Sequence, residues 1–472
     1  DVLGEARIKT KEGLITKALG ADAGIHVRAE RVILEGGSGG IGGIDTPLFL
    51  QLINTADSDP AGVVMRANND IHVALVGGTS ADWLGHHSGY TAGWSVVNDF
   101  LLENGFSQSG SIHLSNDFGS IVDVLDHGLV KLQAVNIVLE AQHNIGEYAE
   151  NGTIDAIEIS SSGFVYAKAE TGVVSLNAVN GNLNVRSISA GTTAYLQALA
   201  NVVDVSENLS VSPVTRATSW DQEYVVVDVA ADSLIVNAGL DIGRLTGDAG
   251  SGVGANLDVD LAEDGFLSVS GDNIYLSEVV GDLNLRSVVA SQRAFLSTPA
   301  GNIFEYSVVD GDASMVLSGR VNLFASDDIG SAVAPLRLLL PQEDRDGRSI
   351  ELEASSINGS AYLESYGGVS VDESGVDTQE IFWLAANSPI SISTDIFASA
   401  IYLHANDEAG DGDTITIDGD VKIYAGVDVE GNLTDAGSTS VYATGGGETI
   451  SHGNIVLRSG DTLALDAQVD MR

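Results

Sequence analysis

The amino-acid sequence predicts an all-β chain wound as a parallel β-helix, a β-solenoid rod, and three observations carry that prediction. Glycine contributes 55 of the 472 residues against 7 prolines, a balance that excludes collagen and proline-rich disorder and points to regularly placed turns. Short apolar runs alternate with period two rather than with the 3.6-residue period of a helix. The chain also resembles itself at an offset of about a hundred residues, the mark of a repeat architecture.

The alternation is clearest in GDLNLRS, residues 281–287, where Leu283 and Leu285 fall on one face and Asp282, Asn284 and Arg286 on the other. Ile274 and Leu276 oppose Asn273 and Tyr275 in the same way, as in half-buried strands. Gly163, Gly172, Gly181 and Gly191 each open a short run rich in Val, Leu, Ile, Thr or Tyr. Helical spacing and capping boxes are scarce, which disfavours a helical solenoid or a leucine-rich horseshoe.

Short strands at this spacing suit a sandwich or a barrel equally well, and the long repeat decides between them. GNLNVRSISAGTTAYL at 181–196 and GDLNLRSVVASQRAFL at 281–296 are identical at eight of sixteen positions. An Ile-Gly pair recurs at Ile41-Gly42, Ile145-Gly146, Ile242-Gly243 and Ile329-Gly330. A stack of coils needs such recurrence because each coil sits on the previous one. One continuous shaft over 1–472 is expected, with super-repeats near 42–145, 146–242, 243–329 and 330–472. At about 20 residues per coil and about 4.8 Å per rung, the rod would be roughly 110 Å long. Ala194 and Ala294 belong in its narrow interior.

The alternation lapses over 77–112, where Trp83, His86, His87, Tyr90 and Trp94 gather. An inserted loop is expected there, its aromatic and histidine side chains forming a candidate ligand-binding surface or else packing against the end of a coil.

Lys and Arg number 21 against 66 Asp and Glu, a net charge of −45 with a pI near 4.1. So few cations cannot build the basic face that nucleic acid requires, and anionic membranes are equally poor partners. Salt or divalent cations relieve the self-repulsion of such a chain, which suits a saline or calcium-containing exterior. Absence of cysteine excludes disulfides and thiolate sites. No apolar run reaches the roughly 18 residues of a membrane helix, so membrane insertion is not expected. Residues 1–30 lack a signal-peptide layout, as in a mature chain or a piece of a longer one.

Gly37-Ser38-Gly39-Gly40-Ile41-Gly42 matches the dinucleotide fingerprint, but that motif needs a following helix. Pro47 and a β-type run stand there instead, so cofactor binding is not expected. No HExxH occurs, and Ser251 lacks the strand-turn-helix setting of a nucleophile. Asp407, Glu408, Asp411 and Asp413 form a candidate structural Ca²⁺ site, with Glu343, Asp344 and Asp346 a second acidic loop. Both also read as solvated turns. Asp258 and Asp260 lie two apart, as acid/base chemistry on a sugar would need, yet no Arg or Lys set accompanies them.

GNLNVRSISAGTTAYLQA, GDLNLRSVVASQRAFL and SDDIGSAVAPLRLLL resemble the repeat units of filamentous-haemagglutinin-like exoproteins, giant bacterial surface adhesins, most strongly over 145–340. The family's N-terminal secretion module is not recognisable here. The resemblance implies a right-handed parallel β-helix shaft at the bacterial cell surface, acting in attachment or cell-to-cell contact without catalysis. A non-enzymatic extracellular structural or adhesive role is therefore expected, with no catalytic or cofactor-binding residues assigned. Its partners would be a glycan or other cell-surface ligand, or further copies joined end to end or side by side. The alternatives are a polysaccharide-binding or polysaccharide-degrading β-helix and a calcium-stabilised, self-assembling matrix or sheath scaffold.

Overall fold

The computed structural model describes residues 2–17, 24–55, 62–77, 94–124, 129–148, 154–205, 227–243, 256–306, 315–341, 348–387 and 389–405, with short stretches at 414–418, 421, 423–425, 441–443, 449–451, 455–459, 463–465 and 469–471. The chain divides into two compact units, Asp1–Gly239 and Leu240–Arg472. Among the described residues there is no helix, and almost every strand pairing is parallel. Each unit is a β-solenoid.

The winding is plainest in the second unit. One coil runs through Ile381–Ala386, Ile390–Ile392 and Ile396–Ala398, the next through Ala400–Ala405, Ile415–Ile417 and Ile423–Ala425, and a third through Ile455–Ser459, Leu463–Leu465 and Val469–Met471. Each strand pairs in parallel with its counterpart one coil on, giving three walls. Alternation makes this possible because residues of one parity fill the interior of every coil. Ile274, Ala294, Val321, Leu352 and Val371 form one such inward column by register, and all are at most 1% exposed.

In the first unit Ile71, Ile112, Ile137, Val165 and Val185 form an equivalent column, fully buried. That wall is revisited after 25 residues between Ile112 and Ile137, 28 to Val165 and 20 to Val185. Many coils are thus longer than the twenty residues expected, because their turns carry extra residues while the rungs stay in register. Leu283, Leu285, Ala194 and Ala294 are all fully buried, as the alternation requires.

The Ile-Gly landmark has a physical cause. Ile41, Ile145, Ile242 and Ile329 are fully buried and form isolated parallel bridges to Ile71, Val174, Ile274 and Ala361 in the following coil. The glycine after each has φ of 64–74°, a left-handed backbone that L side chains avoid. At Gly243 a Cβ would also stand 2.3 Å from the carbonyl oxygen of Tyr275. The turn is locked by Ile242 N–H donating to the Asn273 carbonyl and Tyr275 N–H donating to that of Ile242. Ile41, the fifth residue of the dinucleotide-like motif, is such a corner.

Polar corner residues join coil to coil. Asp282 Oδ1 accepts from the Asn302 N–H at 2.8 Å, Asn302 Oδ1 from the Asp328 N–H at 2.8 Å, and Asp328 Oδ1 from the Ser360 N–H at 2.7 Å. Buried Asn116 fills its bonding capacity within one turn. Its Nδ2 donates to the Asn98 and Ser120 carbonyls, and its Oδ1 accepts from the N–H groups of Phe118 and Gly119, so no polar group there is left unpaired.

The interval 77–112 is only partly an insertion. Phe100–Ser107 and Ile112–Asn116 are solenoid rungs, with Phe100, Leu102 and Ile112 fully buried. Trp94–Val97 pairs antiparallel with Leu48–Thr55. Trp83, His86, His87 and Tyr90 lie outside the described residues, as do Asp407, Glu408, Asp411 and Asp413.

Candidate functional site

A trough of about 610 Å³ lies on the outer face of the first unit. It crosses five strands, Val2–Lys9, Val27–Glu35, Gly62–Ala67, Phe100–Ser107 and Leu132–Ala134. Parallel register assembles it. Lys9 pairs with Glu35, Glu35 with Arg66, Arg66 with Phe106 and Phe106 with Gln133, one outward column formed by strands far apart in sequence. Behind them Leu34, Met65 and Leu132 point inward and are fully buried, so the column stands on a packed wall.

Cations outnumber carboxylates locally. Lys9 Nζ lies 2.5 Å from Glu35 Oε2 and the Arg7 guanidinium 3.7 Å from Glu35 Oε1. The Lys9 hydrogen bond, with the fields of Lys9, Arg7 and Arg66, holds the Glu35 carboxyl below the usual glutamate range against some desolvation. Arg66, Asn68 and Gln133 are exposed, and among the described residues their side chains have no hydrogen-bond or ion-pair partner. Asn104 makes only a 3.4 Å contact to the Val130 carbonyl.

Other described cations are engaged. Arg31 grips Glu103 through Nε at 2.7 Å and Nη2 at 2.6 Å, and Glu5 through Nη1 at 2.8 Å. Arg337 forms a comparable fork on Glu305. Lys131 and Asp123 make a buried pair at 2.7 Å. The two copies of the long repeat dress their outer faces alike: the Arg186 guanidinium lies over Phe164 and that of Arg286 over Phe266, at 4.7 and 4.8 Å.

The second unit carries an acid-base network around a bulge. Register jumps from Leu352–Val371 to Ala354–Val376, pushing out Asp372, Glu373 and Gly375. Glu373 is the one non-glycine described residue with positive φ, at 52°. Its carboxylate meets Arg320 and lies 3.7 Å from Arg293, while Arg293 Nε donates to Asn322 Oδ1 at 2.8 Å. An outward aromatic column, Tyr362, Trp383 and Tyr402, stands on another wall, the last two stacked at 5.9 Å.

Asp258 and Asp260 are not equivalent, as an exposed acid/base pair would be. Asp258 is half-buried, whereas Asp260 is 7% exposed, held close to the fully buried Glu278. Glu278 Oε2 accepts the Leu261 N–H at the end of the same strand. The trough residues carried no local motif, since they meet only through register. One signal existed in composition: six of the 21 cations fall within the first 31 residues. Among the described residues no cluster of three or more His, Asp or Glu has metal-binding geometry. Comparison of the chain with family models, with curated proteins and with solved structures finds no match.

Proposed function

We propose that the chain is a length of non-enzymatic, extracellular shaft from a bacterial surface or fibre protein of the filamentous-haemagglutinin-like kind, acting in attachment or cell-to-cell contact. The observation that supports this reading best is how the side chains are used. Inward residues form unbroken apolar columns, corner Asp, Asn and Ser bond one coil to the next, and most outward arginines pair across coils. Stability and reach of such a stack grow with the number of coils. A net charge of −45 suits a saline exterior that screens it.

The test is genetic and cellular. A strain lacking the gene, its complemented derivative and the parent are compared for attachment to surfaces and to one another, with fractionation of the protein. Reduced attachment, restored on complementation, together with recovery of the protein from the cell exterior is the expected result. Unchanged attachment or an internal location would remove the reading.

A further inference from the structure

The trough on the first unit has a chemistry narrow enough to name its ligand. We propose that it binds a uronate-bearing oligosaccharide lying along the coil stack, with Arg66 taking the carboxylate, Asn68 and Gln133 taking hydroxyls, and Phe106 offering its ring to a sugar face. The inference supplies the ligand of the attachment role proposed above and rests on that reading for its biological meaning.

The first argument is the contrast in engagement. Every other described arginine is held by a carboxylate, an amide, a ring or another partner. Arg66 lines the trough with no hydrogen-bond or ion-pair partner among the described residues, and the same holds there for the Asn68 and Gln133 amides. An exposed planar fork of donors matches a carboxylate in two parallel hydrogen bonds. Lys9 does not compete for that role, because Glu35 already holds it at 2.5 Å.

The second argument is order along the wall. Arg66, Phe106 and Gln133 occupy successive rungs of one column, about 4.8 Å apart. A guanidinium, an aromatic ring and an amide at that interval suit a polymer whose own units recur along its length. Amides pair with both donors and acceptors, as sugar hydroxyls require. Phe106 is half-buried, so part of the cost of ordering its ring is already met before a ligand docks.

The third argument is electrostatic. A chain of charge −45 repels polyanions at long range, but at physiological ionic strength the screening length is about 8 Å. The charged groups that line the trough are Lys9 and Arg66 against Glu35. A ligand that sets a carboxylate against Arg66 and hydroxyls against the amides satisfies this site, whereas one whose carboxylates are esterified or replaced by sulfate esters does not.

Isothermal titration calorimetry of the full chain at about 0.15 M salt tests the assignment with three hexasaccharides: oligogalacturonate, its methyl ester and a sulfated hexamer without carboxylates. Oligogalacturonate is expected to bind, and the ester and the sulfated hexamer to bind at least tenfold more weakly. Arg66→Ala is expected to weaken oligogalacturonate binding at least tenfold, the range for a hydrogen bond to a charged group, and Phe106→Ala severalfold. Arg186→Ala, a cation over a different ring, should change nothing. Gln133→Ala, at an exposed position, replaces Phe106→Ala if that variant loses its thermal transition. No binding, equal or tighter binding of either control sugar, or an Arg66→Ala variant that binds like the parent overturns the site. Uronate binding with attachment unchanged in the deletion strain retains the site and removes the adhesive role. Attachment lost in a chain that binds no uronate removes the site alone.

Discussion

Glu278 lies at the end of Leu267–Glu278 with its side chain closed off from water. Its Oε2 accepts the Leu261 N–H at 3.0 Å and its Oε1 the Val280 N–H at 3.2 Å. Burial pushes its carboxyl up to about 8, the N–H donors oppose the rise, and nearby Asp260 adds to it. In the unfolded chain the group titrates near the ordinary glutamate value, so between roughly pH 4.5 and 8 the folded state holds a proton that the unfolded state releases. The stabilisation is complete below that window and is lost as pH rises through it, roughly 3–5 kcal/mol across its span. Thermal denaturation from pH 5 to 8 should therefore show the parent losing more stability than Glu278→Gln, the difference isolating this carboxyl from the general charge of the chain. Parallel curves would remove the account. Nothing in the sequence around Leu276-Ser277-Glu278 distinguishes this glutamate from the other glutamates of the chain, because its partner N–H at Leu261 comes from another strand.

The strands and corners were far more legible than the site, and the reason is the range over which each is encoded. Leu283, Leu285, Ile274 and Leu276 reveal their inward face within a few residues. The Ile-Gly corners announce themselves because a left-handed turn accepts little but glycine and the preceding position must fill the interior. The trough depends instead on Arg66 facing Phe106 across 40 residues, and Phe106 facing Gln133 across 27, pairings that shift with every change in turn length. Corner glycines also differ among themselves in a way that can be measured. Gly243→Ala places a Cβ against the Tyr275 carbonyl at φ of 68° and should cost at least about 1–3 kcal/mol. Gly281 has nothing within 4 Å of its Cβ position and no left-handed φ, so Gly281→Ala should stay within about 1 kcal/mol of the parent. Denaturant titration of both variants checks the contrast, and equal losses would refute it.

For the molecule as a whole the governing number is the net charge of −45. Carboxylates distributed over a stack of coils repel one another in the folded chain more than in the expanded one, and added salt screens that term. The thermal midpoint is expected to rise between about 0.02 and 0.5 M sodium chloride at neutral pH, the opposite of what surface ion pairs such as Arg7–Glu35 would produce alone. A midpoint that falls with salt would mean that pairing outweighs repulsion.

Rungs that bond only to the coil before and the coil after have a mechanical meaning. In the three-walled coils, pulling on one end loads the last coil's hydrogen bonds while those deeper in the stack carry little. The coil from Ile381 to Ala400 holds 19 residues, so peeling it away frees roughly 65 Å of contour length. Tension applied along the chain would be absorbed one coil at a time, each release lengthening the chain and lowering the force before the next coil yields. A row of weak, renewable fasteners lets the stack give without parting, which a single strong clamp could not do.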